Sequence, residues 1–280
     1  MAEFENIVVG KDSIPSLVLT VLLMLAIPVG IFFFWYKKHK PETSILYLAA
    51  GAIGFIVSAR VLELGVHYFC ILLDNPVSRF INGHAVAYVL YGTVMAAVFE
   101  EVGRHIVLQF VMKKNRTREN AVMYGIGHGG IEIIAVILPS MITYLAIAIL
   151  FSAGNPESAL DALKITEETA EATLPAVQAA AAFNYTLMAL NVLERSLTMF
   201  IHIGLSVIVF YGVFRGRKAC LPLALLLHML VDTFPAMYQK GLMPLWSVEV
   251  WILFWTAAIL FLAVLFYRRM EEPPSNENSL

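Results

Sequence analysis

The chain reads as an all-α, polytopic transmembrane helix bundle of about seven spans, with its N-terminus outside and its C-terminus cytoplasmic. Of its 280 residues, 59% are hydrophobic and 14% are charged, against roughly 45–50% apolar and about 25% charged in soluble domains. The apolar residues gather in seven stretches, each close to or above the ~20 residues that a helix needs to cross a bilayer core of ~30 Å. Lysines and arginines cluster in alternate connections between those stretches.

Taken in order, the predicted spans cover residues 14–36, 45–71, 85–112, 120–151, 190–214, 219–238 and 248–267. The first is too long for a signal-peptide core, runs into Lys37, Lys38 and Lys40, and lacks a small-residue cleavage site, so it is expected to remain as a helix. The fourth is overlong and carries Gly125, Gly127, Gly129, Gly130 and Pro139, a composition that predicts a bent or broken helix and close helix packing. Residues 152–176 form an acidic external loop, partly helical, and the Ala-rich stretch 176–189 leads into the fifth span. The tail 271–280 has the composition of a disordered segment. The whole, 1–280, reads as one integral membrane domain whose site helices lie within 85–238.

Orientation follows from the basic residues in short loops. Twelve lie after the odd-numbered spans and four on the opposite side, which puts the former side in the cytoplasm and the protein in the cell membrane. The basic residues form short clusters and no stripe, which argues against a nucleic-acid partner. Cys70 and Cys220 are expected near opposite faces, too far apart for a disulfide.

Nine charged residues remain inside the predicted spans: Arg60, Arg104, Arg195, Glu63, Glu100, Glu101, Glu132, Glu194 and Asp232. Each costs at least ~2.5–3.5 kcal/mol at the bilayer centre, so their presence needs a reason. Arg60 with Glu63, and Glu100 with Arg104, could be structural pairs. The wider set is harder to explain that way. Glu101, His128, His202 and His228 each lie ten to thirteen residues from a basic boundary, which places four helices' ionisable groups at one depth of roughly 15–20 Å. Within the helices, Glu100 and Arg104, Glu101 and His105, His128 and Glu132, and His228 and Asp232 are spaced four apart and share a face. Glu194, Arg195 and His202 extend the pattern along the fifth span.

Such a set can run acid–base chemistry on an amide. Hydrolysis needs a base for water, a donor for the oxyanion and a proton for the leaving amine. Adjacent carboxylates at Glu100 and Glu101, beside Arg104, offer an acid and a base; successive helical residues point about 100° apart, so only one of them is expected to face the centre. His128 supported by Glu132 would orient the water, and His228 supported by Asp232 would donate to the oxyanion. His128, His202, His228 and Glu101 are also acceptable zinc ligands with a position left for water, although no HExxH string is present. A glutamic-type mechanism needs no cofactor; a metal-assisted one would use Zn2+.

Three strings carry a family resemblance: Glu100-Glu101-Val102-Gly103-Arg104, Tyr124-Gly125-Ile126-Gly127-His128-Gly129-Gly130-Ile131-Glu132, and His228-Met229-Leu230-Val231-Asp232. The chain resembles the YhfC family of intramembrane peptidases from the first span to the last. That family is similar in turn to type II CAAX prenyl endopeptidases, bacteriocin-processing and PrsW-type membrane proteases, and the scaffold subunit of gamma-secretase. The resemblance implies Glu100 or Glu101 as the base, His128 as its partner, and His228 with Asp232 on the oxyanion side. Two departures from the CAAX pattern stand out: Arg104 follows the glutamates one residue sooner, and Asp232 stands where that pattern has asparagine.

The expected function is hydrolysis of a peptide bond within or near the bilayer, on a membrane-embedded or membrane-proximal peptide. A scaffold that holds a partner helix, or a metal- or proton-coupled transporter, would use the same residues. The transporter ranks lower because no pair of broken helices recurs in two related halves. Substrate identity and oligomeric state do not follow from the sequence.

Overall fold

The computed structural model describes residues 2–271, and among these it is helical with no strand. Most of the tail assigned to 271–280 lies outside the described residues. After a four-residue turn of helix, α1 (Ala2–Glu5), come α2 (Ser13–Lys38), α3 (Ile45–Leu72), α4 (Pro76–Gly83), α5 (Ala85–Val111), α6 (Arg118–Ser152), α7 (Pro156–Ala162), α8 (Glu167–Ala181), α9 (Tyr185–Arg215), α10 (Cys220–Gln239) and α11 (Leu245–Arg269). Seven of them, α2, α3, α5, α6, α9, α10 and α11, are long and apolar enough to cross a membrane, which makes this a multi-pass membrane protein.

The long helices are not uniform. In α3, α5 and α6 the α-helical hydrogen-bond pattern gives way to wider π turns, at Ile56–Glu63 and Tyr68–Leu72, at Val98–Val102 and Val107–Val111, and at Ile133–Ile137. The break expected in the fourth span is this last π stretch, which precedes Pro139. Pro139 lacks an N–H, so the last turn before it loses a ladder bond that the wider turn absorbs.

The described chain forms two compact units, Met1–Val29 with Ile133–Ser196, and Gly30–Glu132 with Leu197–Leu280. In the first, the acidic segment is more ordered than a loop. Asn155 caps α7, and Thr166 with Thr169 forms a capping box on α8. The inner faces of both helices pack Ala159, Leu160, Val177 and Ala180 against Phe4, Ile147 and Phe151. Ser13 Oγ donates to Ala180 O at 2.7 Å and Gly10 N to Ala181 O at 2.9 Å, which ties the start of α2 to the end of α8. Acidic residues face outward, so composition alone hides this apolar side. Phe151→Ala should empty the middle of that cluster and cost about 3–5 kcal/mol, read as a lower midpoint of thermal unfolding in detergent.

In the second unit, close approach of α3, α6 and α9 is set by glycine. A Cβ on Gly127 would sit 1.9 Å from Leu48 O, one on Gly51 2.1 Å from Tyr124 O, and one on Gly125 2.5 Å from Ile203 Cα. Backbone meets backbone at these points, so α6 lies in a slot between α3 and α9, as its glycine content predicts. The basic end of the slot is tied by Asn120, whose Oδ1 accepts from Ser44 N at 2.7 Å and whose Nδ2 donates to Asn115 O at 2.7 Å. Arg116 donates to the carbonyls of Leu108, Gln109 and Met112 and so satisfies the C-terminal end of α5.

Candidate active site

The slot delivers His128 to the interior. With Gly127 against α3 and Gly129 against α9, the imidazole between them is fully buried, its ring edge-on to Phe55 at 5.1 Å and 4.8 Å from the His202 ring. Its Nε2 donates to Glu100 Oε2 at 2.9 Å, and its Nδ1 has no hydrogen-bond partner among the described residues. Glu100 Oε2 also lies 3.8 Å from His202 Nδ1.

A second string of contacts runs beside the first. Arg104 Nη1 donates to both carboxylate oxygens of Glu101, at 2.6 and 2.7 Å, and Arg104 Nη2 donates to His202 Nδ1 at 3.2 Å. Because a guanidinium only donates, His202 Nδ1 is the accepting nitrogen and Nε2 carries the proton. That nitrogen lies 2.6 Å from Glu132 Oε2, within ion-pair distance. His228 Nδ1 donates to Glu101 Oε1 at 2.8 Å, and His228 Nε2 faces Asp232 Oδ2 at 3.3 Å. Seven of these eight residues are almost closed off, whereas the Asp232 side chain is 33% exposed and marks the rim.

All eight residues singled out in the sequence, Glu100, Glu101, Arg104, His128, Glu132, His202, His228 and Asp232, thus join one network in the second unit. Two pairings and one orientation differ from those the four-residue spacing predicts. Arg104 pairs with Glu101, not Glu100. Glu132 pairs with His202 across to α9, not with His128 on its own helix. Both Glu100 and Glu101 face inward, where one alone was expected. The π turn at Val98–Val102 accounts for the glutamates: with hydrogen bonds spanning five residues, neighbours diverge less in direction than in an α-helix, so both carboxylates reach the interior.

The sequence marks His128, His202, His228 and Glu101 as possible metal ligands. Glu100, His128 and His202 each present a donor atom within 4.8 Å of the others. Glu101 and His228 bond to each other and to Arg104 and Asp232, outside that group. Farther out, Arg60 is exposed, contrary to the inward placement of its charge, while Glu63 is buried and pairs with His67 Nε2 at 3.2 Å. Both sit in the π stretch Ile56–Glu63, in which residues three apart do not share a face. Glu194 and Arg195 form an ion pair with each other in the first unit. His67, which hydrogen-bonds Tyr91 OH at 2.8 Å, drew no notice in the sequence because it has no other ionisable residue besides Glu63 within a turn.

Burial makes the Arg104–Glu101 pair a strict one. Both side chains have no solvent exposure, so truncating one partner strands a charge at a cost of about 3–5 kcal/mol. Arg104→Ala is expected to lower thermal stability by that order, and Arg104→Lys to recover part of it, since an ammonium restores the charge but not the two-pronged contact.

Fold and site together define a multi-pass membrane protein with an acid–base centre inside its helices. Residues 23–253 match the family described as YhfC intramembrane metalloprotease, and the chain belongs to the YhfC family. It is 30% identical over 235 residues to the uncharacterized membrane protein YhfC of Bacillus subtilis strain 168, a match that covers 84% of this chain and 88% of that protein. No solved structure matches the chain significantly.

Proposed function

We propose that the protein is a metal-dependent intramembrane peptidase of the cell membrane, hydrolysing a peptide bond of a membrane-embedded or membrane-proximal substrate. The observation that carries this reading is the buried group of Glu100, His128 and His202. Two imidazoles and one carboxylate are the protein ligands of several hydrolytic zinc sites, which leave a further position for water. The group also has the outer support such sites use: Glu132 holds the far nitrogen of His202 at 2.6 Å. His128 Nδ1 has no partner among the described residues, so nothing fixes the proton on Nε2, and that atom can present its lone pair in place of the hydrogen bond to Glu100. The residues therefore fit a divalent ion, and Glu100 takes the ligand place expected for Glu101.

A bound Zn2+ would supply Lewis acidity and a water that ionises near neutral pH. The chain's own groups do the rest. Arg104 holds Glu101 in position and balances negative charge in the buried site, and its contact to His202 Nδ1 would give way where that nitrogen takes the metal. Glu101 orients His228 through Nδ1, so that Nε2 points toward the rim, where it can donate to the oxyanion or to the departing amine. Asp232 accepts from the same nitrogen between turnovers. The basic loops support a cytoplasmic placement for the end of the bundle that holds Lys113 and Arg116.

The protein purified in detergent should retain close to one equivalent of zinc or another divalent ion, lose it to a chelator, and cleave membrane peptides only in the loaded state. Undiminished metal and turnover in Glu100, His128 and His202 variants would overturn the proposal. Complex formation with a partner helix and no product at any metal load would favour a scaffold instead.

A further inference from the structure

A half-open cleft of about 250 Å³ in the second unit is lined by Leu64, His67, Tyr88, Tyr91, Gly92 and Gln239, among others. Its walls come from α3, α5 and α10, and its position is fixed by two ties between α5 and α10. At one end Tyr88 OH donates to Gln239 Oε1 at 2.9 Å; at the other His228 Nδ1 donates to Glu101 Oε1 at 2.8 Å. Tyr91 and Gly92 on α5, and Asp232 and Ala236 on α10, lie between the ties. The cleft lies on the same face of α10 as the candidate active site: His228, Asp232, Ala236 and Gln239 follow one another at helical spacing, the last two lining the cleft.

Chemistry and size point to an occupant. At about 30 Å³ per water-sized group, the cleft has room for about eight such groups, the bulk of one aromatic or large aliphatic side chain. Mostly apolar walls suit such a group, and the polar atoms present are hydrogen-bonding ones. His67 Nδ1 and Tyr91 OH, 2.8 Å apart, and the Tyr88–Gln239 pair belong to residues that line the cleft. A helix must unwind to be cut, and its freed backbone N–H and C=O groups need partners inside a membrane. Ala236 and Gln239 lie about 6 and 10 Å from Asp232 along α10. An extended peptide advances about 3.3 Å per residue, so the cleft falls about two to three residues from Asp232 at the rim of the site.

We propose that this cleft is a specificity pocket that takes one large apolar side chain of an unwound substrate segment, about two to three residues from the cleaved bond, with Tyr91 and Gln239 receiving the adjacent backbone. This inference rests on the peptidase reading above. Gly92 sets the capacity of the pocket, since a Cβ there meets nothing within 4 Å. A side chain at this position starts from open space beside the cleft that Gly92 lines, and it replaces a glycine in a helix, which favours folding.

The test uses the full chain in lipid nanodiscs, loaded with zinc, and single-span synthetic peptides with alanine, leucine, phenylalanine or photoreactive diazirine-leucine at each of several successive positions. The native protein should cleave leucine and phenylalanine peptides at least tenfold better in kcat/KM than the alanine peptide at a position about two to three residues from the cut. Gly92→Leu should reverse that preference with metal content unchanged, while Gly92→Ala should leave the preference in place. The diazirine peptide should crosslink to Tyr88 or Tyr91 in the native protein and not in Gly92→Leu. Equal side-chain preference in the native and Gly92→Leu proteins would overturn the pocket. If the native protein cleaves no peptide, the peptidase reading fails, and crosslinking decides the pocket alone: adducts at Tyr88 or Tyr91 that Gly92→Leu abolishes uphold it as a peptide site, and their absence overturns it.

Discussion

Under the proposed metallopeptidase reading, Glu100→Gln is expected to abolish metal binding and, with it, peptide cleavage. The substitution keeps the size of the side chain and its burial, so folding should survive, but a neutral amide oxygen is a far poorer ligand than a carboxylate. Only two imidazoles of the group would remain. Loss of an outer partner of a metal ligand commonly costs 10–100-fold in affinity or activity, and that range is expected for Glu132→Gln, which leaves the three donors in place and releases only the orientation of His202. Glu100→Gln should fall well below it, by more than a hundredfold. Metal analysis of both variants beside the native protein, with cleavage of one membrane peptide, gives the comparison. Equal losses in the two would mean that Glu100 is not a ligand.

Gly127→Ala is expected to have the largest effect on the fold itself. The added methyl would lie 1.9 Å from Leu48 O, inside any tolerable contact. Neither atom belongs to a flexible side chain, so α3 and α6 must separate or slide. A shift of this kind loosens the Gly51 and Gly125 contacts in the same slot and moves His128, the next residue. Overpacking in a close-packed interior typically costs 1–3 kcal/mol and more where backbone must move. The variant should be poorly recovered from membranes and should unfold at lower temperature than the native chain, with little metal bound. Gly92→Ala provides the contrast, because its Cβ meets nothing within 4 Å. Native-like melting of Gly127→Ala would show that the slot is wider than described.

How much of this was legible in the sequence differs from one feature to the next. Length and hydropathy report directly on bilayer crossing, and the seven spans agree with the structure to within a few residues at most ends, the start of α9 being five residues earlier than expected. The glycines of α6 also read correctly, since a cluster of residues without side chains inside an apolar helix has few uses besides close packing. Membership of the eight-residue network was visible too, because each charge inside a membrane demands a partner. Who pairs with whom was legible for His228 and Asp232, which meet at the four-residue spacing, and not for Arg104 or Glu132. That depends on local helix geometry, and nothing in Val98–Val102 advertises a π turn; the expectation that Glu100 and Glu101 diverge rests on α-helical angles that do not hold there. Partners across helices, such as Glu132 and His202, depend on rotation of one helix about its axis relative to another, which spacing within either helix cannot express. The acidic segment reads correctly as partly helical, but its packed side was missed for a simpler reason: its apolar residues are few, and only packing against Phe4 and Phe151 reveals that they share a side.

Asp232 carries a consequence for traffic into the interior. Under the proposed peptidase reading, hydrolysis would consume a water per bond, and lipid supplies none. The one-third-exposed carboxylate of Asp232, 3.3 Å from His228 Nε2, is the group of the network that would meet that water first, while Glu100 and His128 stay shielded.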